Sequence, residues 1–315
     1  MSENQTKKQN KKGREVQDLL DPKIDYVFKR IFGHTGNEDI TKALLSSIIK
    51  DKISDVRVDC NPITEKDLLD DKMGILDIKA KLNNNINCNI EMQVVDKKNI
   101  EKRILFYWSK MYTMSIKSGD DYEKLEKSIV ILFTDYNLKK LEKVNKFITK
   151  WNIREEENPK IILTDALEIY IIELSKGEVL LKIIDKNEQT KNSLNTWLKF
   201  INNPEAVNDM DNKEVKKAKE VLEEISQNEY ERYKAELRQK YIMDQKATEA
   251  AGYDKGLEAG IEQGIKQGIE QGIQQGIQQN KIEIAKKLFE LGDEIEKIIV
   301  ATGLTKEQIL SIKNN

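Results

Sequence analysis

The sequence predicts an α/β domain followed by a mainly helical C-terminal extension, and three observations carry that prediction. Met73 to Val95 alternates apolar and polar residues along two arms separated by consecutive asparagines, the pattern of a hairpin with one core face. Ser128 to Phe133, SIVILF, is continuously apolar, as a central strand covered on both sides would be. Helical periodicity surrounds these stretches and dominates the chain beyond residue 205.

The hairpin fixes a register. One arm offers Leu76, Ile78, Ala80 and Leu82, the other Ile86, Cys88, Ile90, Met92 and Val94. With Asn83 to Asn85 as the turn, Leu82 faces Ile86, Ala80 faces Cys88, Ile78 faces Ile90 and Leu76 faces Met92. The same register sets Asp77 opposite Glu91, with Gln93 two residues further along that face beside Lys79, Asn87 and Asn89. Facing carboxylates on adjacent strands are close enough to share a divalent metal, whereas without one they repel. Alternating strands also put carboxylates into water, so the pair by itself leaves both readings open.

A chain of 315 residues holds one ordinary core and a second, smaller element. With 38% hydrophobic and 34% charged residues, and no run of 18 apolar residues, neither a membrane span nor a secretory signal is predicted. Two cysteines, Cys60 and Cys88, make no disulfide scaffold, and Cys88 falls on the apolar strand face as a core thiol. The net charge of -2 does not announce a nucleic-acid binder, although Lys7, Lys8, Lys11, Lys12 and Arg14 give the first residues a local basic character. These observations place the chain in the cytoplasm or on its nucleic acid.

Taken in order, Asp21-Pro22 marks a helix start, and Ile24, Val27, Phe28, Ile31 and Phe32 form its apolar face before Gly33 breaks it. Asp25 sits near the N-terminal end, where a carboxylate is electrostatically favoured. A second helix is expected from Glu38 to about Lys50, and His34, the sole histidine, lies between the two. A strand follows from Ile53 to Asn61, then a polar link through Asp70 and Asp71 into the hairpin. From Asn99 to Lys117 the period is helical again, and Arg103, Tyr107 and Lys110 form a polar line. That line is either a set of phosphate contacts facing the acidic strands or an ordinary solvated face. After SIVILF come a charged helical segment containing Val144, Phe147 and Ile148, a boundary at Asn158-Pro159, a strand from Glu168 to Leu174 and a helix from Leu194 to Ile201.

Beyond the core, Val215, Ala218, Leu222, Ile225, Leu237 and Tyr241 supply an intermittent stripe to one or two long helices outside it. Glycine then recurs every fourth residue from Gly252 to Gly276. Each such glycine costs a helix roughly 1 kcal/mol relative to alanine. The repeat is therefore either an association helix, packed closely as in a homodimer, or a flexible linker. A four-residue period drifts about 40° per repeat on an ideal helix instead of holding a left-handed seam. Lys281 to Leu291, Asp293 to Ile299 and a start signal at Thr305 with Gln308 complete the chain. The expected divisions are a basic flexible tail at 1–17, the core domain at 18–205, a helical extension at 206–250, the glycine repeat at 251–280 and a small helical module at 281–315.

Two strand-borne carboxylates beside a phosphate-binding margin suit metal-assisted phosphodiester hydrolysis. No P-loop and no spaced histidine pair points to another enzyme class. The combination of DPKIDYVFKRIFG, GILDIKA, NIEMQ, RILFYWSKMY and IIEL resembles the recombination-promoting nuclease and transposase family of the PD-(D/E)XK superfamily. The resemblance covers most of residues 20 to 202, and the glycine repeat with IAKKLFELG and TGLTKEQI is similar to that family's C-terminal region. It implies a restriction-endonuclease-like three-layer α/β/α core with a mixed central sheet and a Mg2+- or Mn2+-dependent DNA endonuclease. By this resemblance Asp77, Glu91 and Gln93 are catalytic, with Asp77 and Glu91 as metal ligands and Gln93 where the superfamily often has lysine. It also makes Asp25 a further acidic contributor and puts Arg103, Tyr107 and Lys110 near the DNA. Partners implied are DNA and a second copy of the chain through the C-terminal helices. The alternative is a nuclease-fold protein, weak or inactive in catalysis, that binds DNA or assembles as a homo-oligomer.

Overall fold

The computed structural model describes residues 18–59, 63, 65–69, 77–96, 98–177, 193–207 and 212–313. Within them β1 (Val56–Asp59), β2 (Ile78–Leu82), β3 (Ile86–Gln93), β4 (Lys127–Thr134), β5 (Ile148–Trp151) and β6 (Leu167–Glu173) form one sheet in the order β1-β2-β3-β4-β6-β5. The first three strands are antiparallel neighbours, β3, β4 and β6 run parallel, and β5 returns antiparallel at the far edge.

The hairpin pairs in the register its alternation predicts, with Leu82 opposite Ile86, Ala80 opposite Cys88 and Ile78 opposite Ile90. The further pair with Leu76 lies outside the described residues, as do Cys60, Asp70, Asp71 and the basic tail. Asn83 and Asn84 take φ values of 50° and 65°, a left-handed conformation that asparagine tolerates better than most residues. Asn83 also anchors the turn: its Oδ1 accepts from the Ser54 amide at 2.8 Å and its Nδ2 donates to the Lys52 carbonyl at 2.9 Å. Cys88 is fully buried, and burial pushes its thiol up to about 12.

SIVILF lies in β4, between β3 and β6, and is buried on both faces. On one side α4 (Ile100–Thr113) lays Ile100 and Ile104 over Val130, Leu132, Ile169 and Ile171. It is also the crossover that a parallel β3–β4 pair requires. On the other side lie α1 (Asp25–Phe32), α2 (Glu38–Ile48), α5 (Ser193–Asn202) and α6 (Lys213–Gln227). Phe28, Phe32, Trp197 and Leu222 from this layer share a core with Ile90, Ile131, Phe133 and Ile172. The molecule therefore has the three-layer α/β/α architecture with a mixed sheet.

Three local expectations need correction. The charged segment after β4 forms only a 3-10 turn at Lys139–Leu141, and Ile148 enters strand β5 opposite Ile172. β-branched Ile148 and Thr149 with Trp151 fit a pleated edge better than a helix. The chain at Asp21 makes a turn, in which the Lys23 amide donates to the Asp21 carboxylate, and α1 begins only at Asp25. The helices after residue 206 do not stand outside the core. α6 and the start of α7 (Glu229–Glu290) bury Val215, Ala218, Leu222, Ile225, Ala235 and Ile242 within it.

The chain forms two compact units, Met1–Lys246 and Ala247–Asn315. In the second, α7 continues through the whole glycine repeat, so the repeat is helical. Gly292, with φ of 81°, follows the end of that helix. α8 (Ile295–Thr302) and α9 (Lys306–Lys313) pack on it through Ala285, Ile298, Leu304 and Ile309. Thr305 and Gln308 exchange side-chain bonds to each other's amides at 2.9 and 3.3 Å, a capping box.

Gly33 shows how tightly α1 sits on the hairpin. A Cβ there would lie 2.9 Å from Ile78 Cγ1 and 2.9 Å from the Lys29 carbonyl oxygen. Because the second of these atoms is backbone, Gly33→Ala is expected to destabilise the protein by about 1–3 kcal/mol, read as a lower urea midpoint. An unchanged midpoint would show that α1 can shift away without cost.

Candidate active site

Glu91 and Gln93 lie at the carboxyl end of the parallel strand β3, where loops and helix ends leave room for a ligand in open α/β sheets. Asp77 immediately precedes β2, and the β2–β3 register continued by one residue sets it level with Glu91. Both acids are withdrawn from water, with Asp77 8% and Glu91 1% exposed. Burial raises the Asp77 pKa well above the ordinary carboxylate value, and the Glu91 charge adds to the rise. Arg103 and Lys29 oppose it, while Asp25 contributes further repulsion.

Three helices, α1, α4 and α7, each bring a cation to this acidic corner. From α4, Arg103 donates from Nη2 to Glu91 Oε1 at 2.6 Å and from Nε at 2.9 Å. Its guanidinium also lies 5.2 Å from the centroid of the Tyr107 ring. Burial works against the Arg103 charge, but Glu91, Tyr107 and Asp77 outweigh it and its pKa is raised. From α1 comes Lys29, which is buried and one helical turn from Asp25. From α7 comes Arg238, 3% exposed. It holds Asp25 in a bidentate pair at 2.6 and 2.8 Å and donates from Nη1 to the Leu68 carbonyl of α3 (Glu65–Leu68) at 2.9 Å. Gln93 completes the group by donating from Nε2 to Glu91 Oε1.

The structure thus brings Asp25, Asp77, Glu91, Gln93 and Arg103 into one neighbourhood. Tyr107 and Lys110 lie further along α4 and line a cleft of about 540 Å3 that begins at Asp77. Asp25, Gln93, Arg238 and Tyr241 line a much smaller recess on the other side. Sequence reasoning missed Lys29, Arg238 and Tyr241. Lys29 could have been found, because Asp25 and Lys29 occupy adjacent turns of one face. Arg238 left no such signal, since its partner is 213 positions away in the chain.

Asp77 and Glu91 are hard oxygen donors of the kind that suit Mg2+ or Mn2+. Burial and then the Glu91 charge raise the Asp77 pKa, and a bound cation would oppose both. Among the described residues no cluster of three or more His, Cys, Asp or Glu is assembled for a metal. Two carboxylates nevertheless suffice for Mg2+, which ordinarily keeps waters and substrate phosphate in its other positions. The residues present therefore fit such a cation.

The core is a mixed-sheet α/β scaffold in which two buried acids face each other across the β2–β3 hairpin, Glu91 at the carboxyl end of a parallel strand. The family model for the PD-(D/E)XK nuclease family transposases matches residues 22–251, and the chain belongs to that family. Comparison with curated proteins and with solved structures gives no significant match. No helix among the described residues is long and apolar enough to cross a membrane.

The raised Asp77 pKa has a definite sign in stability. The folded chain keeps a proton that the unfolded chain has already released, so stability falls as pH rises above the unfolded carboxylate value toward the folded one. In divalent-free buffer Asp77→Asn should melt at a higher temperature than the unaltered protein at neutral pH. The gap should close on acidification into the ordinary carboxylate range. Parallel melting curves at every pH would show that Asp77 carries no such repulsion.

Proposed function

We propose that the protein is a metal-dependent DNA endonuclease acting in recombination or on mobile DNA. The observation that carries this reading is the placement of Asp77 and Glu91, buried and level across the β2–β3 hairpin, in a chain of the PD-(D/E)XK nuclease family. Asp77 and Glu91 would hold Mg2+, with Mn2+ as a substitute. When bound, the cation neutralises phosphate charge and acidifies a water.

The remaining residues divide the other tasks. Gln93 is neutral, so its amide orients water or phosphate by hydrogen bonding and does not take a proton. Arg103 and Lys110 receive phosphate charge along α4, and Tyr107 lies between them in sequence. Asp25 is held by Arg238 and acts by setting the local field and position of α1. Lys29 favours the ionised form of Asp77. With a protein chain of net charge -2, DNA affinity rests on these local cations and is therefore salt-dependent.

Purified protein should nick or cut DNA in Mg2+ or Mn2+, and Asp77→Ala and Glu91→Ala should each lower the rate by at least about 100-fold. Cleavage that survives both substitutions would remove the catalytic assignment. DNA binding without hydrolysis by the unaltered protein would favour the nuclease-fold binding protein instead.

The homodimer is part of the same proposal. Ile261, Ile265, Ile269, Ile273 and Ile277 stand more than half exposed along α7, and among the described residues nothing within 4 Å would meet a Cβ at any glycine of the repeat. A second copy of the helix would cover the isoleucines and approach closely over the glycines, and a period longer than 3.6 residues gives such a pair a right-handed wrap. Ile265→Asp combined with Ile269→Asp is expected to lower the mass in sedimentation equilibrium from two chains to one. A mass that does not change with these substitutions would place the dimer contact elsewhere.

A further inference from the structure

The cleft beside the paired acids is larger than the hydrolysis of a backbone phosphate requires. Its volume of about 540 Å3 falls within the range of roughly 300–1,000 Å3 typical of small-molecule pockets. Asp77 and, from β3, Asn89 both line it. Asn89 is 5% exposed, and its Nδ2 has no hydrogen-bond partner among the described residues. A buried donor left in this state costs about 1–3 kcal/mol, and native structures retain such groups where something else satisfies them. The opposite wall is α4, which contributes Tyr107 and Met111, while exposed Lys79 and Lys110 supply positive charge.

An aromatic and a thioether wall, one buried donor and the exposed lysines Lys79 and Lys110, set among the acids Asp59, Asp77 and Glu126, offer contacts to each part of a nucleotide. Its flat base stacks on aromatic or apolar side chains, its edge presents acceptors and its phosphate is anionic. A base still paired and stacked in a duplex cannot enter a pocket, so the fitting ligand is an unpaired or everted one. We propose that the cleft is a base pocket. It receives one unpaired nucleotide of the DNA strand whose phosphate lies at Asp77 and Glu91, with Asn89 Nδ2 donating to the base edge and Tyr107 and Met111 against its face. The assignment of the phosphate rests on the nuclease reading, but occupation of the pocket requires no hydrolysis. The predicted consequence is a preference for single-stranded or locally unpaired DNA over perfect duplex.

The full chain in EDTA, titrated against fluorescein-labelled oligonucleotides and read by anisotropy, separates the two claims. A single strand should bind about tenfold more tightly than an abasic strand of equal length and charge. Asn89→Leu, which keeps the shape and removes the donor, should weaken single-strand binding about tenfold and leave abasic binding unchanged. If Asn89→Leu does not fold, Met111→Trp, made on the half-buried side of α4, should give the same selective loss by filling the slot. Equal affinity for normal and abasic strands, or equal losses on both, overturns the pocket. Base-selective binding without cleavage in Mg2+ or Mn2+ supports the pocket and removes the nuclease reading. Cleavage without base selectivity does the reverse.

Discussion

Repulsion between like charges is the constraint on which this molecule is built. Asp25 of α1 and Asp77 and Glu91 of the hairpin are all buried in one corner of the fold, where water cannot screen them and each feels the others. Three cations answer them, and each comes from a different helix: Lys29 on α1, Arg103 on α4 and Arg238 on α7. The site is therefore also a joint. Arg103 ties the crossover helix to β3, while Arg238 ties the C-terminal helix to α1 and, through the Leu68 carbonyl, to the chain that leads into Asp77. Buried ion pairs contribute little net stability over well-packed apolar groups, yet removing one partner strands the other at considerable cost. Such pairs determine which arrangement of the helices is tolerated more than how stable that arrangement is.

The same logic distinguishes what was legible in the sequence. The β2–β3 register could be read because it is local: three asparagines fix the turn, and apolar alternation fixes both faces. Once that register was known, the level placement of Asp77 and Glu91 followed. The segment containing Val144, Phe147 and Ile148 was misread because its charge pattern suits a helix, and only pairing with β6 reveals Ile148 as a strand residue. The helices beyond residue 206 were misread for a related reason. Lysine and glutamate outnumber their apolar stripe, but Val215, Ala218 and Leu222 are wholly buried. A narrow stripe is enough when its partner surface is already apolar, and the partner is invisible to a local reading. Arg238 illustrates the limit, since nothing within its own helix distinguishes it from the exposed lysines around it.

The glycine repeat presents the opposite case, because its pattern is plain and its energetics are not satisfied within the chain. Seven glycines in the continuous helix α7 cost it roughly 1 kcal/mol each relative to alanine. Among the described residues no neighbouring atom demands their small size. The isoleucines that follow them lie in water instead of in a core. Small residues and exposed aliphatics that advance together around a helix offset those costs only when another surface lies against both.

Within the first unit, α4 reaches both the acid pair and the cleft beside it. Arg103 reaches the acid pair, whereas Tyr107, Lys110 and Met111, one to two turns further on, line the cleft. Arg103 and Lys110 are separated by roughly 10 Å along the helix axis, a distance comparable with one to two nucleotide steps of an extended strand. Helical residues hold such spacings better than loop residues do, because their backbone bonds are satisfied internally. Ile100 and Ile104 fix the helix on the sheet, and the Trp108 indole donates to the Ser128 carbonyl at 3.1 Å on the same side. A nucleotide held between α4 and β3 would therefore find its phosphate position and its base position set by one element. Any shift of that element would move the two together, so that recognition of the base and alignment of the backbone at Asp77 and Glu91 could not be adjusted separately.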